Sequence, residues 1–163
     1  MQSRQVSGLI NTIRPRLESA RSNSRGNPEM KILLIEDSRS SRIAIERLLT
    51  KEGYSVTGVA DGREGLQAAR TIHPALILLD MMLPGLDGTG VLKALKQDAS
   101  TAQIPVIVLT GLSQKNEAKL KNAGAAAYIE KSSLNLEQNA DALLQSIESV
   151  LSRSVAVSRP SPG

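Results

Sequence analysis

Four polar groups in this 163-residue chain lie where apolar runs stop: Glu36-Asp37, Asp80, Thr110 and Lys131. Their types suggest one chemistry if they meet. Three carboxylates in one cleft repel one another unless a cation joins them or protons are taken up. Oxygen ligands without histidine or cysteine suit Mg2+, which keeps much of its water and often meets phosphate. The Thr110 hydroxyl and the Lys131 ammonium can hold phosphoryl oxygens, the lysine as a point charge with reach. An aspartate beside Mg2+ and a lysine is a plausible phosphoryl acceptor, which makes Asp80 the candidate for an aspartyl-phosphate.

The elements that must position these groups follow from the hydropathy pattern. Residues 75–88 read ALILLDMMLPGLDG. An unbroken apolar run from Ala75 to Leu79 predicts a strand covered on both faces, and the Pro, Gly and Asp residues beyond Asp80 predict a turn. Similar runs predict strands over Met30–Ile35, Tyr54–Ala60, Ile104–Leu109 and Ala126–Ile129. Between and after them, helical spacing predicts helices over Arg39–Thr50, Asp61–Thr71, Thr89–Gln97, Gln114–Asn122 and Leu136–Leu151. Asp61 is an N-cap candidate with Glu64 completing a capping box, Gly53 and Gly124 are breaks, and His73-Pro74 ends the second helix. Five strands alternating with five helices imply an α/β fold with a parallel sheet, right-handed crossovers and helices on both faces. Periodicity leaves the strand order open. Parallel strands all end at one edge of the sheet, so the polar groups after the first, third, fourth and fifth strands collect there.

Composition excludes several alternatives. The chain has no cysteine and one histidine, so thiolate nucleophiles, disulfides and multi-histidine zinc sites are excluded within it. No apolar run approaches membrane-spanning length, and no signal pattern opens the chain; a cytoplasmic protein is the default expectation. The net charge of +4 lies in the ends, with five arginines against two glutamates in residues 1–29 and two arginines in 152–163. The middle holds 13 basic and 14 acidic residues, so a nucleic-acid-binding surface on the compact domain is not expected. The expected organisation is a basic N-terminal extension and linker over 1–29, one domain over 30–151, and a flexible tail over 152–163.

The segments ILLIEDSRSSR (32–42), ILLDMMLPGLDG (77–88), IPVIVLTG (104–111) and AYIEKS (127–132), in this order, resemble the receiver domain of bacterial two-component response regulators. The resemblance implies a flavodoxin-like (βα)5 fold with strand order 2-1-3-4-5. It implies that Asp80 is the phospho-acceptor, that Asp37 binds Mg2+ directly and Glu36 directly or through water, and that the Met82 backbone carbonyl completes the metal ligands. It implies that Thr110 and Lys131 hold phosphoryl oxygens and that Tyr128 changes rotamer with Thr110. The donor would be phosphohistidine on a sensor histidine kinase or histidine phosphotransferase. Phosphorylation would switch conformation and partner binding, and the same pocket would admit water for autodephosphorylation. The family commonly has proline after the lysine with a cis peptide between them. Ser132 stands there, and a cis bond without proline costs roughly 3 kcal/mol, so a trans loop is the simpler expectation.

With no output domain expected after residue 151, signalling would run through an unknown downstream protein, through a phosphorelay, or through a phosphorylation-dependent dimer. Ala118, Ala123 and Tyr128 lie near the surface of the fifth strand where such contacts would form. A non-phosphorylated interaction module would leave the four polar strand ends unexplained. Haloacid-dehalogenase-like phosphatases also form an aspartyl-phosphate, but they generally carry a second Asp two residues later, where this chain has Met82. A flavodoxin-like FMN protein would need a phosphate-cradling loop where Glu36-Asp37 stands.

Overall fold

Five apolar runs form parallel strands β1 (Lys31–Ile35), β2 (Ser55–Val59), β3 (Leu76–Asp80), β4 (Val106–Thr110) and β5 (Ala127–Glu130), in the order β2-β1-β3-β4-β5. The computed structural model describes residues 30–111, 117–134, 136 and 140–157. The expected extension over 1–29 and the tail residues 158–163 lie outside the described residues. The helices are α1 (Arg39–Lys51), α2 (Gly62–Ile72), α3 (Gly88–Gln97), α4 (Glu117–Asn122) and α5 (Ala140–Val157).

The two-residue period of the strands sorts their apolar side chains into two cores. Ile32, Leu34, Leu76, Leu78, Ile107 and Leu109 meet Ile45 and Leu49 of α1 and Leu143, Ile147 and Val150 of α5. Leu33, Ile35, Ile77, Leu79, Val106 and Val108 meet Ala69 of α2, Val91, Leu92 and Leu95 of α3 and Leu120 of α4. Each fully buried Leu or Ile contributes about 1.5–3 kcal/mol relative to exposure. Both faces of β1, β3 and β4 are therefore apolar, and their polar groups are confined to the strand ends.

Local signals set the helix limits. Asp61 caps α2 by accepting a hydrogen bond from Glu64 N–H at 2.8 Å. Asp87 caps α3 through Gly90 N–H at 2.8 Å and so starts that helix just ahead of the expected Thr89. Gly53 ends α1 at φ +96°. There Tyr54 N–H bonds Leu49 C=O and Gly53 N–H bonds Thr50 C=O, a left-handed cap that a side chain would strain. Exposed His73, at φ +47°, ends α2.

The expected start of α4 lies outside the described residues, and α5 runs longer than expected. α4 is described only from Glu117, because residues 112–116 lie outside the described set; Leu120 is buried whereas Ala118 is exposed. α5 begins at Ala140 and continues to Val157, past the expected boundary at Leu151. The extension contains no glycine or proline to stop it. Two of its side chains bond back onto the helix: Ser154 Oγ donates to Val150 C=O at 3.1 Å, and Arg153 Nη2 donates to Ser149 Oγ at 3.2 Å. Residues 152–157 thus continue α5.

The connection from α3 to β4 is held by charge. Lys96 Nζ donates to Ala102 C=O at 3.1 Å and Ile104 C=O at 2.9 Å, and burial lowers its pKa. Asp98 accepts from the hydroxyl and N–H of Ser100 at 2.7 and 2.9 Å and pairs with Arg70 of α2 at 2.6 Å. The Ser100 hydroxyl, then Arg70 and the Ser100 N–H, bring the Asp98 carboxyl down to about 2 from 3.8. A depressed carboxylate stabilises the fold above its unfolded pKa and loses that contribution as pH falls through the folded value. Urea unfolding should therefore give wild type an advantage over Asp98→Asn that holds above pH 3.8 and shrinks toward zero by about pH 2. A gap unchanged across that window would contradict the Asp98 anchor.

Candidate functional site: an acidic pocket bridged by a lysine

Strand register brings the polar ends together. Ile35 of β1 pairs with Leu79 of β3, so Glu36 and Asp80 each follow by one residue. Asp80 pairs with Leu109 of β4, and Thr110 pairs with Glu130 of β5, which places Lys131 one step beyond. The turn at Lys131–Ser133 is a single 3-10 turn, and its Lys131–Ser132 peptide is trans. The turn carries the lysine back across the strand ends.

Lys131 Nζ lies 2.8 Å from Glu36 Oε2 and 2.8 Å from Asp80 Oδ2. Both carboxylate residues are fully buried. Apart from the ammonium, neither of those two oxygens has a hydrogen-bond partner. The other oxygens are bound locally: Glu36 Oε1 accepts from Ser38 N–H at 3.1 Å, and Asp80 Oδ1 accepts from Met82 N–H at 3.0 Å. Burial raises the Glu36 carboxyl from 4.5 to about 7; Lys131 opposes the rise and Asp80 adds to it. Burial acts to lower the Lys131 ammonium, but hydrogen bonds and charge from Asp80 and Glu36 outweigh it and raise its pKa.

One ammonium faces two buried carboxylates, and exposed Asp37 adds a third. One oxygen from each of Glu36, Asp37 and Asp80 can lie within 4.8 Å of the others. That donor set fits Mg2+: it is all oxygen, it carries excess negative charge, and each bound oxygen retains lone-pair capacity. Met82, two residues beyond Asp80, is 64% exposed, and Thr110 is buried at the end of β4. Tyr128 is half-buried on β5 against the α2–α4 core, with Lys121 Nζ 5.9 Å from its ring centroid. The geometry thus brings Glu36, Asp37, Asp80 and Lys131 together, with Met82 exposed two residues beyond Asp80, Thr110 buried at the end of β4 and Tyr128 on the neighbouring edge strand.

Three supporting residues escaped the sequence reading. Ser38 caps α1 with a 3.4 Å bond from Ser41 N–H; a serine ahead of a helical run is the signal that could have found it. Arg42 Nη1 donates to Glu36 C=O at 2.8 Å and reaches Asp37 C=O at 3.4 Å. Gly88 starts α3 directly against the pocket loop, where a Cβ would come within 2.5 Å of Met81 Cα and 2.7 Å of Asp80 C=O. Only glycine permits that approach.

A family model described as the response regulator receiver domain matches residues 32–147. The polar-differentiation response regulator DivK of Brucella ovis is 36% identical over 101 residues, which cover 61% of this chain and 82% of that protein. The transcriptional regulatory protein AfsQ1 of Streptomyces coelicolor is 39% identical over 101 residues, covering 61% of this chain and 44% of that protein. The chain spans only 35–45% of the length of three such transcriptional regulators that it matches. The crystal structure of a CheY-like response regulator receiver domain protein from Methanospirillum hungatei superposes with a TM-score of 0.70 at 29% identity, covering 79% of this chain and 98% of that one.

Removing the bridging ammonium leaves two buried carboxylates facing each other, which is costly even with part of the lysine reaching solvent. Without added metal, Lys131→Met should lower the unfolding free energy by about 1–3 kcal/mol at pH 8. Equal urea midpoints for the two proteins would show that the bridge carries no net stabilisation.

Proposed function

Because this chain belongs to the response regulator receiver family, we propose that it is a phosphorylation-controlled switch with Asp80 as acceptor and Mg2+ as cofactor. The observation that carries this reading is the buried Glu36–Lys131–Asp80 bridge with exposed Asp37 beside it. Receiver domains take a phosphoryl group from a histidine kinase or histidine phosphotransferase. Here Asp80 Oδ would attack phosphorus, the phosphorus–nitrogen bond of the donor phosphohistidine would break, and the departing imidazole would take a proton. In-line transfer of this kind needs positioning and charge neutralisation more than a base.

Glu36, Asp37, Asp80 and the Met82 carbonyl would hold the metal, which when bound neutralises charge on the transferring group. The Met82 N–H bond to Asp80 Oδ1 orients the acceptor carboxylate. Lys131, 2.8 Å from Asp80 Oδ2, lies close enough to pass one of its N–H bonds from the carboxylate to a phosphoryl oxygen. Thr110, one strand away, would supply a hydroxyl to another oxygen, and its movement with Tyr128 would carry the change toward β5. A partner that prefers the phosphorylated conformation would stabilise it reciprocally. Water entering the same pocket would hydrolyse the acyl phosphate and reset the switch. A downstream protein target, reached near β5, fits the expected absence of nucleic-acid contacts by the domain. Among the described residues no helix is long and apolar enough to cross a membrane.

Incubation with acetyl phosphate and Mg2+ should give one phosphoryl adduct by intact-mass spectrometry. Asp80→Asn and chelation by EDTA should each abolish it. An undiminished adduct in Asp80→Asn would reject the acceptor assignment.

A further inference from the structure

We propose that Arg42 is a positioning residue for the acidic pair, and that Gly58 of β2 is the space that admits it. This inference rests on the Mg2+ reading of Glu36, Asp37 and Asp80 and deepens it. β2 contributes no polar group to the pocket, yet it lies against the acidic loop. Glu36 N–H donates to Val59 C=O at 3.0 Å. From the other side, Arg42 of α1 donates to Glu36 C=O at 2.8 Å, and the same nitrogen reaches Asp37 C=O at 3.4 Å. The backbone of the pair is thus gripped between an edge strand and a helix.

That grip matters most for Asp37. Glu36 and Asp80 are buried, and each has one oxygen on Lys131 and the other on a backbone N–H. Asp37 is exposed, so the position of its carboxylate depends chiefly on where its backbone is held. Arg42 reaches the two carbonyls with its stem lying along β2 at Gly58. A Cβ at residue 58 would come within 3.1 Å of Arg42 Cδ and would overlap the Glu46 carboxylate. The Glu46 end is free to swing aside, whereas the Arg42 stem is tied at its guanidinium. An alanine at 58 would therefore shift the arginine stem by a few tenths of an ångström and strain its hold on the two carbonyls.

Charge and geometry give opposite expectations. A guanidinium near an acidic pocket repels an entering cation, so its removal would tighten metal binding if charge alone counted. Loss of a group that holds the ligand backbone weakens metal binding, typically by about 10–100-fold. The exposed half of the Arg42 contact places the expected loss at the lower end.

The test is calorimetric titration of the full chain with MgCl2 alone, with thermal unfolding to confirm that each variant folds. Arg42→Ala should weaken Mg2+ binding about tenfold, and Arg42→Lys, which keeps the charge and one donor, should recover part of it. Gly58→Ala should also weaken binding, and the double variant should bind no more weakly than Arg42→Ala alone. The Asp37 amide resonance should move in each variant before metal is added. Unchanged or tighter binding in a folded Arg42→Ala overturns the proposal, and additive losses in the double variant overturn the part assigned to Gly58. If Arg42→Ala does not fold, Arg42→Gln carries the same comparison. Failure of wild type to bind Mg2+ overturns the metal reading itself, and this inference with it.

Discussion

Two carboxylates buried side by side with a single ammonium between them are the constraint on which the pocket depends. Glu36 and Asp80 sit fully inside the protein, and Lys131 reaches both at 2.8 Å. At Glu36 burial outweighs the lysine and raises the carboxyl to about 7. The bridge leaves net negative charge, and Asp37 increases it at the solvent side. Under the proposed function a cation would complete such a site and offset the charge of an incoming phosphoryl group. The electrostatic incompleteness of the pocket and its proposed chemistry have the same origin.

The fold supplies what that constraint needs. β1, β3 and β4 are apolar on both faces, so charged groups can appear only where the strands end. The order β2-β1-β3-β4-β5 puts β1 beside β3, which makes Glu36 and Asp80 neighbours although they are far apart in the chain. The turn after β5 then returns Lys131 across β4 to reach both. Gly88 lets α3 begin against the backbone of Asp80 and Met81 and so closes the floor of the loop. β2 looks like a bystander, but its Val59 carbonyl and the gap at Gly58 support the acidic loop from behind.

Much of this was legible in the residues themselves. Unbroken apolar runs such as Ala75–Leu79 marked buried strands, and Asp61 with Glu64 marked a helix start that the structure realises at 2.8 Å. Because parallel strands end on one side, Glu36, Asp37, Asp80 and Lys131 could be placed at one edge before any geometry was known. The bridge itself was not legible, since which acid a lysine meets depends on register and on the turn that carries it. Arg42 was hidden for a different reason: it acts on backbone carbonyls, which every residue has, so no pairing of residue types announces it. The expected end of α5 fell at Leu151 because residues 152–163 are rich in Ser, Arg and Pro, whereas Ser154 turns its hydroxyl back onto the helix. Strand order came from the family resemblance, as hydropathy carries no information about which strands are neighbours.

The most direct measurement of the central claim is a crystal structure with Mg2+ and beryllofluoride, a stable mimic of a phosphoryl group on a carboxylate. The expected result is beryllium bonded to an Asp80 oxygen, the metal held by Glu36, Asp37 and Asp80, and the Lys131 ammonium moved onto a fluorine. Beryllofluoride bound to another acid, or an Asp80–Lys131 pair left intact with no adduct at saturating reagent, would contradict it.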